Sequence, residues 1–225
     1  MSRRHATPQL SLDLPPSEPT SAAVVGASNA EAIHALAAWP MEPGALALVG
    51  PAGCGKSLIA QGWAERVGAF AMRGAEADLA DLPELEGRPV LLDEASEASD
   101  ETLFHLLNLA LLPGGALLLV DRAPPSTWQA ALPDLRSRLD ALRVLTVEAP
   151  DDAVLSGMLI RSFEARGLRP PEDLIAYLVR RIERTPAAVI RIAADLDHFA
   201  QGRGVTRSLA VAFFAQEHES GDLLD

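Results

Sequence analysis

Apolar positions along the chain fall into short, nearly continuous runs separated by longer amphipathic stretches. The runs at 45–49, 69–72, 89–92, 116–120 and 143–147 have strand length, carry β-branched or leucine-rich residues, and end at glycine, proline or charge. They predict strands, the apolar ones buried on both faces. The stretches 29–39, 57–67 and 100–112 place apolar residues three and four apart and predict helices. Strand and helix alternate in that order, the pattern of a parallel sheet covered by helices.

Beyond Ala149 the strand pattern stops and helical periodicity continues. Asp151 and Asp152 put negative charge at a helix start, which the helix dipole favours, and Gly167 ends that helix. Pro171 is expected in the first turn of the next helix, where its missing N–H costs nothing. Thr185 and Pro186 read as cap and first turn of a third helix running to about residue 200, and 207–217 reads as a short last helix. Residues 1–20, with Pro8, Pro15, Pro16 and Pro19, lack periodicity and predict an extended leader. The expected organisation is a leader at 1–20, an α/β domain at 21–149, a helical domain at 150–218 and an acidic tail at 219–225.

One segment carries recognisable chemistry. Gly50-Pro51-Ala52-Gly53-Cys54-Gly55-Lys56-Ser57 matches G-x-x-x-x-G-K-[ST] and lies between a predicted strand and a predicted helix. Glycines allow such a loop to curl until its N–H groups and the helix N-terminus point at phosphate oxygens. Lys56 would reach the β and γ phosphates of ATP or ADP, and the Ser57 hydroxyl would hold Mg²⁺. Leu58 continues the site into the helix. The apolar strand Val90-Leu91-Leu92 ends in Asp93-Glu94, where Asp93 would assist the metal and Glu94 would orient or deprotonate a hydrolytic water.

Composition sharpens this picture. Lys56 is the only lysine; the other eighteen of 19 basic residues are arginine. A compact ammonium is thus kept at the position that requires one. A net charge of −12 repels a phosphate backbone at long range, so broad non-specific DNA binding by the free protein is not expected. Residues 161–207 run against that trend, with nine arginines and six carboxylates, read as a solvated helix surface. The start of the chain lacks the apolar stretch of a secretion signal, and Cys54, the one cysteine, forms no internal disulfide, so a soluble cytoplasmic protein is expected with no membrane contact. Cys54 is read as a small loop filler, and His5, His34, His105, His198 and His218 show no ligand spacing.

A P-loop sheet followed by a helical lid resembles the AAA+ class. Asp121-Arg122-Ala123-Pro124-Pro125 and Leu135-Arg136-Ser137-Arg138-Leu139 resemble segments of its DnaA branch. The resemblance implies that Asp121 belongs to the nucleotide site and that Arg138 is an arginine finger reaching a nucleotide held by a neighbouring subunit. Gln9-Leu10-Ser11-Leu12-Asp13-Leu14 is similar to the sliding-clamp-binding motif of the shorter Hda family. With the sequence ending soon after Glu217, no helix-turn-helix domain is expected after the lid. Resemblance to Hda implies a regulator that binds the DNA polymerase III sliding clamp and promotes hydrolysis of DnaA-bound ATP, preventing over-initiation. Its partners would be the clamp (beta subunit) and DnaA, with DNA met only indirectly through the clamp; a homo-oligomer is left open. In this branch the third lid helix offers an arginine to the phosphates; Ala187 stands there, with Arg184 and Arg191 a turn away on either side, and Arg191 is taken as the candidate. Two rival readings are a self-sufficient ATPase of the clamp-loader or remodelling type driven by Glu94, and a non-catalytic nucleotide-bound clamp adaptor.

Overall fold

The computed structural model describes residues 23–221, with side chains to residue 216. The leader, including residues 9–14, therefore lies outside the described residues, as do 222–225.

Five parallel strands form one sheet: β1 (Gly44–Val49), β2 (Phe70–Arg73), β3 (Pro89–Asp93), β4 (Ala116–Asp121) and β5 (Arg143–Thr146), in the order β2-β3-β4-β1-β5. The three central strands are buried along most of their length, as expected of strands covered on both faces. Alternate residues serve opposite layers. Leu46, Leu48, Leu91, Leu118 and Val120 meet α1 (Ala30–Ala38) and α2 (Lys56–Val67). Ala47, Val90, Leu92, Leu117 and Leu119 meet α3 (Asp100–Leu109) and α4 (Pro133–Asp140). Trp63 stacks on Trp39 with ring centroids 5.0 Å apart and donates to the Trp39 carbonyl, tying the end of α1 to α2.

The remaining helices, α5 (Asp152–Glu164), α6 (Glu172–Val179), α7 (Pro186–Ala200) and α8 (Arg207–Gly221), close on a separate core of Leu155, Leu159, Phe163, Leu174, Leu178 and Leu196. This is the all-helical lid that follows the α/β part. Asp151 joins the two: its carboxylate caps α5 by accepting from Val154 N and also accepts from Ser28 N before α1. Those two N–H groups, Val154 first, lower its pKa below the ordinary aspartate value.

Four expectations are corrected. α3 ends at Leu109 rather than residue 112, because the chain must turn through Gly114 and Gly115 into β4; Leu111 and Leu112 lie in that turn, exposed. α4 was not expected from periodicity; only Leu135 and Leu139, one turn apart, face the core of an otherwise polar segment. Pro171 is the N-cap of α6, not its first helical residue, and its carbonyl accepts from Leu174 and Ile175. α8 continues past Glu217 to Gly221, where an acidic tail was expected.

Candidate functional site

The P-loop follows β1 at the carboxyl edge of the sheet, where the strand order reverses, the usual place for a ligand in an open α/β sheet. Register lines up the chemistry there: Arg73 is opposite Asp93, Asp93 opposite Val120, and Asp121 opposite Val49, the last strand residue before the loop. Residues far apart in sequence thus end in one row.

Within the loop, a Cβ on Gly50 would stand 2.0 Å from the Val147 carbonyl oxygen, so the loop can leave β1 only as glycine. Gly55 has φ 96° and is the N-cap of α2, a left-handed position that lets the helix begin at Lys56 with its N–H groups facing outward. Lys56 is buried, and its ammonium donates to the carbonyls of Gly50 at 2.7 Å and Pro51 at 2.8 Å. Cys54 is packed beneath the loop with its Sγ 3.7 Å from that ammonium, the filler role expected of it. The Thr185 methyl reaches Gly53, so the N-cap of α7 touches the loop from the lid side.

Two cavities flank this loop, and they differ in chemistry. One, of about 460 Å³, is polar and lined by Gly53, Lys56, Ser57, Asp93, Glu94 and Asp121, with Arg73 and Arg122 at its wall. The other, of about 220 Å³, lies between the α/β part and the lid and is mainly apolar, lined by Val24, Leu58, Ile59, Met158, Val189 and Ile190 among others. Cys54 and Gly55 line the second and Lys56 and Ser57 the first, so the start of α2 separates them. A ligand with an anionic end and a flat apolar end, spanning the α2 N-terminus, would fit both.

The carboxylates of the polar cavity do not share one environment. Asp121 accepts from the backbone N–H of Ser96 and of Arg122, so it holds the turn after β3 against the end of β4. Asp93 accepts from Glu94 N. Glu94 adopts φ 54° and ψ 46°, strained for a non-glycine residue, and Arg73 grips its carboxylate at 2.7 and 3.0 Å. Among the described residues no three His, Cys, Asp or Glu side chains are grouped to hold a metal by themselves. Ser57 and Asp93 nevertheless suit Mg²⁺, which takes one or two protein oxygens beside phosphate.

The other expected residues are more scattered. Arg138 sits on α4 with its guanidinium 5.1 Å from the Phe104 ring centroid and lines neither cavity. Arg191 and Ala187 are exposed on α7 and also line neither. Arg184 is engaged elsewhere, donating to the Pro150 carbonyl and to Asp152 at 2.6 Å. Sequence reasoning missed Arg73 and, as a site residue, Arg122. Only strand register brings Arg73 beside Glu94; Arg122 adjoins Asp121 and could have been drawn from its neighbour.

No family model matches the chain. Similar solved structures do exist. Domain III of the replication initiation protein DnaA from Thermotoga maritima superposes with a TM-score of 0.68 at 19% identity, over 86% of this chain and 93% of that one. The fold is that of an AAA+ module. AMPPCP-bound DnaA from Aquifex aeolicus gives 0.63 at 17% identity over 87% of this chain and 68% of that one. A point mutant of Thermotoga maritima RuvB gives 0.63 at 15% identity, over 84% and 67%. Among the described residues no helix is long and apolar enough to cross a membrane.

Proposed function

We propose that the chain binds ATP or ADP with Mg²⁺ between P-loop and lid. We propose further that it acts as a DnaA-related regulator of chromosome replication initiation. Residues 9–14 would dock it on the sliding clamp, and Arg138 would promote hydrolysis of ATP bound to DnaA. The observation that carries this is the placement of cations: Lys56 stands at the polar cavity, whereas Arg138 lies outside both cavities. An arginine that lines neither of its own cavities suits a nucleotide held by another subunit, where it stabilises charge on the transferred phosphoryl group. The AMPPCP-bound DnaA structures, one of them also holding single-stranded DNA, support nucleotide binding and a replication setting. RuvB shares the fold, so fold alone does not select DnaA as partner.

Within the chain, Lys56 and the loop N–H groups would bind phosphate, and Ser57 and Asp93 would hold Mg²⁺, which neutralises phosphate charge when bound. The apolar cavity would exclude water around the base. Glu94 would position the attacking water, with Arg73 restraining it.

The test is a clamp-binding measurement with wild type and a variant carrying alanine at Gln9, Leu10 and Leu12, followed by a DnaA–ATP hydrolysis assay. Clamp binding lost in the triple variant is expected. In the assay, Arg138→Ala should lower stimulated hydrolysis by about 10³-fold or more, the usual worth of an arginine finger, without weakening clamp binding. No clamp binding by wild type would overturn the regulator assignment. A self-sufficient ATPase is the second reading, favoured by Glu94 lining the polar cavity. It predicts substantial turnover by the protein alone, abolished in Glu94→Gln.

A further inference from the structure

The lid carries a surface that the nucleotide site does not use. Two of its arginines, Arg181 and Arg207, meet where α6 packs on α8, and two more, Arg180 and Arg203, lie close to them along the chain. Arg180 is the C-cap of α6 and Arg181 follows it, Arg203 stands in the α7–α8 loop, and Arg207 opens α8. The Cζ atoms of Arg181 and Arg207 lie 4.0 and 5.7 Å from the centroid of the same ring, Tyr177. Their charges can therefore be no more than about 10 Å apart. All four arginines are exposed, and none takes part in the ion pairs found among the described residues, whereas Arg184 is paired with Asp152.

Solvation of a helix surface accounts for such residues one at a time, but two features of the group go beyond it. Like charges converge on one ring, where they repel. Arg207 also sits at the positive end of α8, whose first turn holds no acidic residue, a placement the helix dipole disfavours. A polyanion lying across the patch relieves both.

We propose that this face of the lid docks the phosphate backbone of duplex DNA. The guanidinium fork matches pairs of phosphate oxygens. Strand type follows from the aromatic residue: the Tyr177 ring already engages two guanidiniums and Phe214 at 6.2 Å, so it is not a free platform for the base stacking that single-strand binders use. Arginines that meet phosphate carry no base information, so the contact is independent of sequence. The net charge of −12 opposes approach at long range and confines binding by the free protein to low salt. The patch shares no residue with either cavity and does not depend on the clamp or DnaA assignment.

Fluorescence anisotropy with a labelled duplex, across a salt series, tests this. If four phosphates are contacted, the log–log salt slope should be about −3.6, a weakening of roughly 150-fold between about 50 and 200 mM salt. Joint substitution Arg181→Ala and Arg207→Ala should reduce the slope by about 2, while Arg181→Lys and Arg207→Lys should keep it. A thermal melt of each variant reports its folding; if the alanine pair does not fold, Arg180→Ala and Arg203→Ala, which do not touch Tyr177, should together remove the same two units. No duplex binding by wild type at the lowest salt would overturn the proposal. So would an unchanged slope in folded alanine variants, preference for a single strand of equal length, or displacement of the duplex by a polyglutamate peptide, which would mark an acidic protein partner.

Discussion

At the residue scale, Glu94 shows how the same carboxylate can be well placed and restrained at once. It lines the polar cavity in a strained left-handed backbone, and Arg73 holds its side chain by two short contacts. A carboxylate held by a guanidinium is aimed at its partner rather than at water. Arg73→Ala is therefore expected to raise basal nucleotide turnover a few-fold, and the gain should vanish in an Arg73→Ala, Glu94→Gln double variant. Turnover unchanged or lowered in Arg73→Ala would show that the pair supports the site instead of restraining it. Glu94 itself was legible because two acidic residues close an apolar strand. Its partner was not, since Arg73 lies 21 positions away and meets it through strand pairing.

At the scale of elements, the joint between sheet and lid rests on Asp151. Its carboxylate caps α5 and holds the Ser28 N–H, and both bonds favour the ionised form. Its folded pKa is lowered, so the stabilisation is complete above the ordinary aspartate value near 3.8 and is lost as pH falls through the lowered folded value. Asp151→Ala should cost about 1 kcal/mol at neutral pH, the usual worth of an N-cap, measured by urea denaturation. That difference should shrink when the comparison is repeated in acid below the folded pKa. A penalty independent of pH would place the loss in packing against Val154 and Gly26 rather than in charge. The cap at Asp151 and that at Thr185 were readable as local sequence rules; that Asp151 also serves a residue 123 positions away was not.

At the scale of the molecule, two cavities on either side of one helix start would make the proposed nucleotide binding a link between sheet and lid. A ligand that occupies both binds the folded state alone and should stabilise it by about 2.7 kcal/mol when present at 100 times its Kd. A rise in Tm on adding ADP with Mg²⁺ is expected for wild type and should be absent in Lys56→Ala; an equal rise in both would mean that the ligand binds elsewhere. The sequence by itself determined the parallel sheet, the helical lid and the P-loop, because strand length, helical periodicity and glycine spacing are local properties. Tertiary structure alone decided which residues gather at the carboxyl edge, that Arg138 stands apart from both cavities while Arg73 stands within, and that Arg181 and Arg207 converge on Tyr177. Those placements depend on strand order, register and helix packing, and the free energy that selects them comes from contacts between residues distant along the chain.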